Sequence, residues 1–164
     1  MLQLREDSPE MSKIEKRIEE LGLELPVVPK PMANYVTCRR SGSLLYFSGA
    51  GAFIDGKPAV FGKVGAELTE QEGYEAARLA GLNLLSQLKN ELGDLDRVKC
   101  FVKLLAFVAS APDFYNQPAV MNGASDLFVE VFGEKGKHAR SAVAVPALPF
   151  NIPVEIEMIV ELEQ

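Results

Sequence analysis

Two alternating segments, joined by prolines, demand a sheet with two chemically different faces. They lie within GKHARSAVAVPALPFNIPVEIEMIVELE, residues 136–163. In the first, Arg140, Ala142 and Ala144 point one way, and Ser141, Val143 and Val145 the other. In the second, Val154, Ile156, Met158, Val160 and Leu162 share a face opposite Glu155, Glu157, Ile159 and Glu161. Pro146, Pro149 and Pro153 bracket the connection, where a missing N–H is tolerated. With the valine faces on the core, Arg140 and Glu155 are expected together on the other side. The small Ala142 and Ala144 leave room there for a guest.

The rest of the chain supplies what such a sheet packs against. Thr69 and Glu72 form a capping-box signature opening a helix over 70–92. Tyr74, Ala77, Gly81, Leu84, Leu85 and Leu88 make its apolar face, and Gly93 stops it. RVKCFVKLLAFV, residues 97–108, reads as a long strand. A turn at Asp113–Asn116 leads into a second helix reaching about Phe132, with Pro118 near its start. Upstream, strands are expected over 34–39 and 44–48 around a Ser41-Gly42 turn, and a short one over 58–61 after Asp55-Gly56. The small-residue run Ser48-Gly49-Ala50-Gly51-Ala52 lacks the spacing of a nucleotide-binding loop and reads as a bulged strand approached closely by another backbone. The order β-β-β-α-β-α-β-β predicts an α+β domain over 31–164, with a six-stranded mixed sheet and two helices on one face.

Residues 1–30 read as a helical extension and proline linker. Ser8 and Pro9 can start the helix, Met11, Ile14, Ile18 and Leu21 recur at helical spacing, and Gly22 can end it. Its narrow stripe places it on the surface.

Composition bounds the chemistry. A net charge of −6 opposes nonspecific binding to polyanions such as RNA or to anionic membrane. The two cysteines, Cys38 and Cys100, form no metal motif and read as reduced core thiols of a cytoplasmic protein. A lone histidine, His138, cannot build a histidine metal site, and reads as a loop residue before the strand.

The pattern ARS-x-V-x-V…LP…VEIE at 139–157 resembles the signature of the YjgF/RidA family, also labelled the endoribonuclease L-PSP family. EAARLAGLNLLSQL and DF…N-x-A-S-D-L-F extend the resemblance, which runs from about Tyr35 to Glu163. It implies a fold like AroH-type chorismate mutase, a homotrimeric barrel with clefts between subunits, and cofactor-free, metal-free hydrolysis of imines and enamines of amino acids to 2-keto acids and ammonia. By motif, Arg140 matches the arginine that holds the substrate carboxylate and Glu155 the glutamate that positions water. Tyr35, Ser48, Asn122 and Ala142 match substrate-binding positions. The chain departs from the pattern at Asn34, Ala50 and Ala142, where the family commonly has proline, glutamine and cysteine. Two other functions are compatible with these residues: a module that binds a small carboxylate without turnover, and an endoribonuclease.

Overall fold

Polar and apolar residues sort along the chain as the sheet-and-helix pattern requires. The computed structural model describes residues 11–28 and 33–164. Ser8 and Pro9 of the expected first helix, and Pro29 and Pro31 of the linker, lie outside the described residues. The elements in order are α1 (Lys13–Glu20), β1 (Cys38–Ser41), β2 (Leu44–Ala50), β3 (Phe53–Ile54), β4 (Lys57–Pro58), α2 (Glu70–Leu92), β5 (Val98–Ala109), α3 (Gln117–Phe132), β6 (Ala139–Val145) and β7 (Val154–Leu162).

Helix α2 begins where its capping box predicts. The Thr69 hydroxyl accepts from the Glu72 N–H, and the Glu72 carboxylate accepts from the Thr69 N–H at 2.7 Å. Its Ala76, Ala77, Ala80 and Leu84 are buried together with Ala124, Leu127 and Phe128 of α3. The two helices approach so closely at Gly123 that an added Cβ would strike the Tyr74 carbonyl. Helix α3 has no side-chain cap on its first N–H groups, and Pro118, which lacks one, sits in its first turn.

The main sheet has five strands, ordered β1-β2-β7-β5-β6, rather than the six expected. β3 and β4 pair apart from it as a short hairpin. Asp55 and Gly56 hold φ of 50° and 73°, which closes a two-residue turn. Pro58 offers no N–H to extend that ladder. The architecture is α+β, a mixed sheet with α2 and α3 on one face.

The strand order overturns one expectation about the C-terminal pair. β6 and β7 are not neighbours, because β5 lies between them, parallel to β6 and antiparallel to β7. Register then fixes the faces. Leu104 of β5 pairs with Arg140 on one side and Met158 on the other, so all three side chains share the helix-covered face. Phe107 pairs with Val143 and Glu155, which share the opposite, open face. Arg140 and Glu155 therefore lie on opposite faces. On β6 the valine face points outward, with Val143 45% exposed, while Ala142 packs against the core. β6 is an edge strand with one strand neighbour, and α3 meets the face that carries Arg140 and Ala142 rather than the valine face. On β7 the expected apolar face is the buried one.

The N-terminal helix forms and is tied to the body. Ser12 is its N-cap, and Ile18, 5% exposed, joins the central core, with Ile14, Leu21, Leu23 and Leu25 packed against it. Asp96 accepts the Lys13 and Ile14 N–H groups at 2.9 Å each, and Glu15 pairs with Lys89. Asp94 accepts the Asp96 N–H at 2.9 Å. The acidic trio Glu15, Asp94 and Asp96 is thus a capping device that joins α1 to the turn before β5. Truncating Ile18→Ala should lower the unfolding free energy by about 2 kcal/mol. Urea denaturation checks this, and an unchanged midpoint would put α1 outside the cooperative core.

Candidate functional site

The candidate residues separate into two groups that a single chain keeps apart. The first is built on β6 and α3. Arg140 is half-buried on the first strand turn of β6, and its guanidinium reaches across to α3. Nη1 donates to Asn122 Oδ1 and to Ser125 Oγ, each at 3.0 Å, and Nη2 donates to the Pro118 carbonyl at 3.3 Å. Three of the five N–H groups are thereby committed, which leaves Nε–H and one Nη2–H for a planar oxyanion. Ala142, two residues on, keeps the adjoining position small. Burial pushes the Arg140 pKa down, with Asp126 opposing; a guanidinium still remains charged at any physiological pH.

The second group surrounds the bulge in β2. Phe47 pairs with Met158 and Ala50 with Ile156, so Ser48 and Gly49 together span the place of one partner residue. The bulge is the feature expected for this small-residue run, and its function is visible at Gly49. A Cβ there would run into the Glu155 carboxylate, so only glycine lets that side chain lie over the strand. Ser48 Oγ donates to the Val36 carbonyl at 2.8 Å, and Ser48 N–H to the Thr37 carbonyl at 3.0 Å. These bonds fasten the segment carrying Tyr35, which precedes β1 rather than lying on it, and is 55% exposed.

Two hollows meet at Tyr35 and Ser48. One, of about 580 Å³, opens on the sheet face beside Arg39, Tyr46 and Glu157. The other, of about 390 Å³, runs past Gly49 between Phe53 and Phe150 to the amides of Asn83 and Gln87 on α2. The two phenylalanines meet edge to face, 6.4 Å between centroids. Asn83 donates to the Phe53 and Leu79 carbonyls at 3.0 Å. Gln87 Oε1 is buried and has no partner among the described residues, so it can accept a hydrogen bond from a guest.

Glu155 is electrostatically distinct. Burial first, and then the neighbouring Glu157 charge, raise its pKa above the ordinary carboxylate value. Arg140, on the other face, does not counter this. Such a carboxylate is a better proton acceptor than an exposed one, provided it is ionised.

Sequence reasoning identified Arg140 and Asn122, and the structure joins them. It missed Ser125 and His138. Ser125 stands three residues after Asn122 on one face of α3, a periodicity that points at the same guanidinium. His138 lies in the loop just before β6, as expected, and only the fold brings it to Ser125. Cys38 is half-buried; burial and Glu91 push its thiol up to about 11, so it is protonated and inert at neutral pH. Among the described residues no helix is long and apolar enough to cross a membrane.

The family profile described as "YjgF/chorismate mutase-like, putative endoribonuclease" matches residues 15–162. The chain belongs to the YjgF/chorismate mutase-like family. It is 46% identical over 151 residues to Protein TCP17 of Trypanosoma cruzi, covering 92% of this chain and 94% of that one. It is similar to the crystal structure of Atu1372, a protein of unknown function from Agrobacterium tumefaciens, at 48% identity and TM-score 0.85, with 92% of each chain covered. A structure named as a putative endoribonuclease from Shewanella oneidensis matches at 38% identity and TM-score 0.88, over 91% of this chain and 99% of that one. The match from residue 15 includes most of α1, in line with the burial of Ile18.

The raised Glu155 pKa has a signed consequence. The native state holds this proton more tightly than the unfolded chain, so stability is lost as pH rises through the carboxylate range. Glu155→Gln should therefore melt above the parent at neutral pH. The difference should close below pH 4.5, the ordinary value, where both states are protonated. Thermal scans from pH 4 to 8 measure it; a variant less stable at neutral pH would contradict the burial effect.

Proposed function

We propose that the chain hydrolyses 2-imino and enamine acids to 2-keto acids and ammonia, in a cleft completed by a second copy of itself within a homotrimer. The carrying observation is the separation of the two groups. A held guanidinium with two spare N–H groups lies on one face of the sheet, and a carboxylate of raised pKa on the other. No ligand can span a sheet within one chain, but the β6 edge of one copy can meet the open face of the next. That face carries Leu105, Phe107, Val143 and Ile159 around Glu155, an apolar surface suited to burial between subunits.

In this reading the substrate carboxylate docks on Arg140 through two parallel hydrogen bonds. Water beside Glu155 adds to the imine carbon, giving up a proton to the carboxylate as the C–O bond forms. That proton passes to nitrogen to give a carbinolamine. The hydroxyl proton then moves to nitrogen as the C–N bond breaks and C=O forms, releasing ammonia and the keto acid. An enamine enters the same sequence after its carbon is protonated and its N–H lost to give the imine. The hollow between Phe53 and Phe150 receives the substrate side chain. Glu155 must be ionised to act, so turnover should rise with pH through a midpoint above the ordinary carboxylate value.

RNA cleavage, the activity in the name of the Shewanella relative, is the second reading. A net charge of −6 weighs against it, as does a sole histidine with both ring nitrogens engaged. Binding without turnover is separated by calorimetry with 2-oxobutyrate, which would then saturate the protein while no imine is hydrolysed.

Two measurements test the proposal. With freshly generated 2-aminoacrylate, Arg140→Lys should lose roughly ten- to a hundredfold, because an ammonium lacks the two-pronged geometry. Parental turnover in a folded Arg140→Ala would make the arginine structural. Second, Arg140→Ala and Glu155→Gln should each be inactive alone, yet recover activity when unfolded and refolded together. In a random mixture about a quarter of the clefts then receive an intact Arg140 from one chain and an intact Glu155 from another. No recovery, with mixed oligomers formed, would refute a shared cleft.

A further inference from the structure

We propose that His138 and Ser125 form a one-way hydrogen-bond relay that positions Arg140, with neutral His138 carrying its proton on Nδ1. The relay rests on the reading of Arg140 as the carboxylate anchor for its purpose, but not for its existence.

Its direction follows from which atoms can donate. His138 Nδ1 lies 2.7 Å from the Gly136 carbonyl, which can only accept, so Nδ1 carries hydrogen. A neutral imidazole then has a bare Nε2, which must accept. The atom 2.9 Å from it is Ser125 Oγ, so the serine hydroxyl donates there. That uses the only hydrogen Ser125 has and turns its lone pairs toward Arg140 Nη1, 3.0 Å away. Asn122 Oδ1 takes the other Nη1 hydrogen. Every donor meets an acceptor in one sense only, and the guanidinium plane is fixed by groups that cannot reverse roles.

The surroundings favour the neutral ring. His138 is packed edge to face against Phe128 of α3, 6.0 Å between centroids. Burial lowers its pKa, and the charge of Arg140, two residues on in β6, acts in the same direction, against the Gly136 carbonyl. On α3 the nearby carboxylate, Asp126, accepts from the Tyr74 hydroxyl at 2.9 Å and acts on Arg140. In the turn before β6, Lys137 pairs with Glu134, and Lys135 with Glu163 and the Val98 carbonyl. Lys103 of the adjacent β5 points to the open face, donating to Ser141 at 2.9 Å. A protonated ring would present Nε2–H to Ser125 Oγ, which already receives Arg140. The serine hydrogen would then need a new acceptor. His138 is thus a positioning residue, acting on substrate only through Arg140.

The chain holds a single histidine, so its ring gives one set of NMR signals. Long-range proton–nitrogen spectra of the whole protein at neutral pH should show a protonated Nδ1 and a bare Nε2. Its titration midpoint should lie below the ordinary histidine value and rise in Arg140→Ala, which removes the facing charge. A bare Nδ1, or a midpoint indifferent to Arg140→Ala, would overturn the relay; both are read without any ligand. With 2-oxobutyrate as probe, His138→Phe should weaken binding by roughly two- to tenfold, the worth of one neutral hydrogen bond. His138→Gln, whose side-chain oxygen can accept from Ser125, should restore it. Equal weakening by both would make His138 a packing residue. If the parent binds no keto acid while the tautomer is as stated, the deaminase reading falls and the relay stands.

Discussion

The parallel pairing of β6 with β5 is the constraint on which the rest of the structure depends. It makes β5 an interior strand, sends β6 to the sheet edge, and obliges α3 to cross over the face between them. Because side chains alternate, one register choice, Leu104 opposite Arg140, settles which face every residue of β6 occupies. A slip of one residue would carry Arg140 to the open face and bring Val143 under the helix. Arg140, bonded to Asn122, Ser125 and the Pro118 carbonyl of α3, is consistent with this register.

From that register follows the chemistry of each face. The helix-covered side at the β6 edge is a place where a half-buried charge can be satisfied by α3 without entering the core: the Pro118 carbonyl, Asn122 and Ser125 all lie on the stretch of α3 that faces it. No helix among the described residues covers the open side, and Glu155 is partly dried by its own neighbours and by the bulge at Gly49. One group is a preorganised cation with spare donors, and the other a carboxylate whose proton affinity is raised.

The bulge and the cap cluster show how local sequence carries long-range geometry. Ser48-Gly49 inserts a residue in β2, and the strand bends to accept the Glu155 side chain from β7. Glu15 and Asp96 fasten α1 to the turn before β5 through backbone N–H groups, so that a helix with few apolar residues still adds Ile18 to the core. Its narrow stripe suggested a surface helix separate from the domain. Burial of a single well-placed isoleucine is not readable from periodicity, because the stripe is the same whether one or four of its residues are covered.

The sequence by itself determined the elements and their order. The Thr69–Glu72 box, Pro118 in the first turn of a helix, the Asp55-Gly56 turn and the β7 alternation are local signals, set by backbone geometry within a few residues. The family motif likewise singled out Arg140 and Glu155 by residue type. Tertiary structure decided which strands are neighbours, and so that these two side chains lie on opposite faces. It also decided that Ser125 and His138 converge on Arg140, and that Ser48 fastens Tyr35. The physical reason is that strand order and register are set by long-range pairing and by which face a helix can cover. Alternation within a strand separates two faces but does not name the one that meets the core.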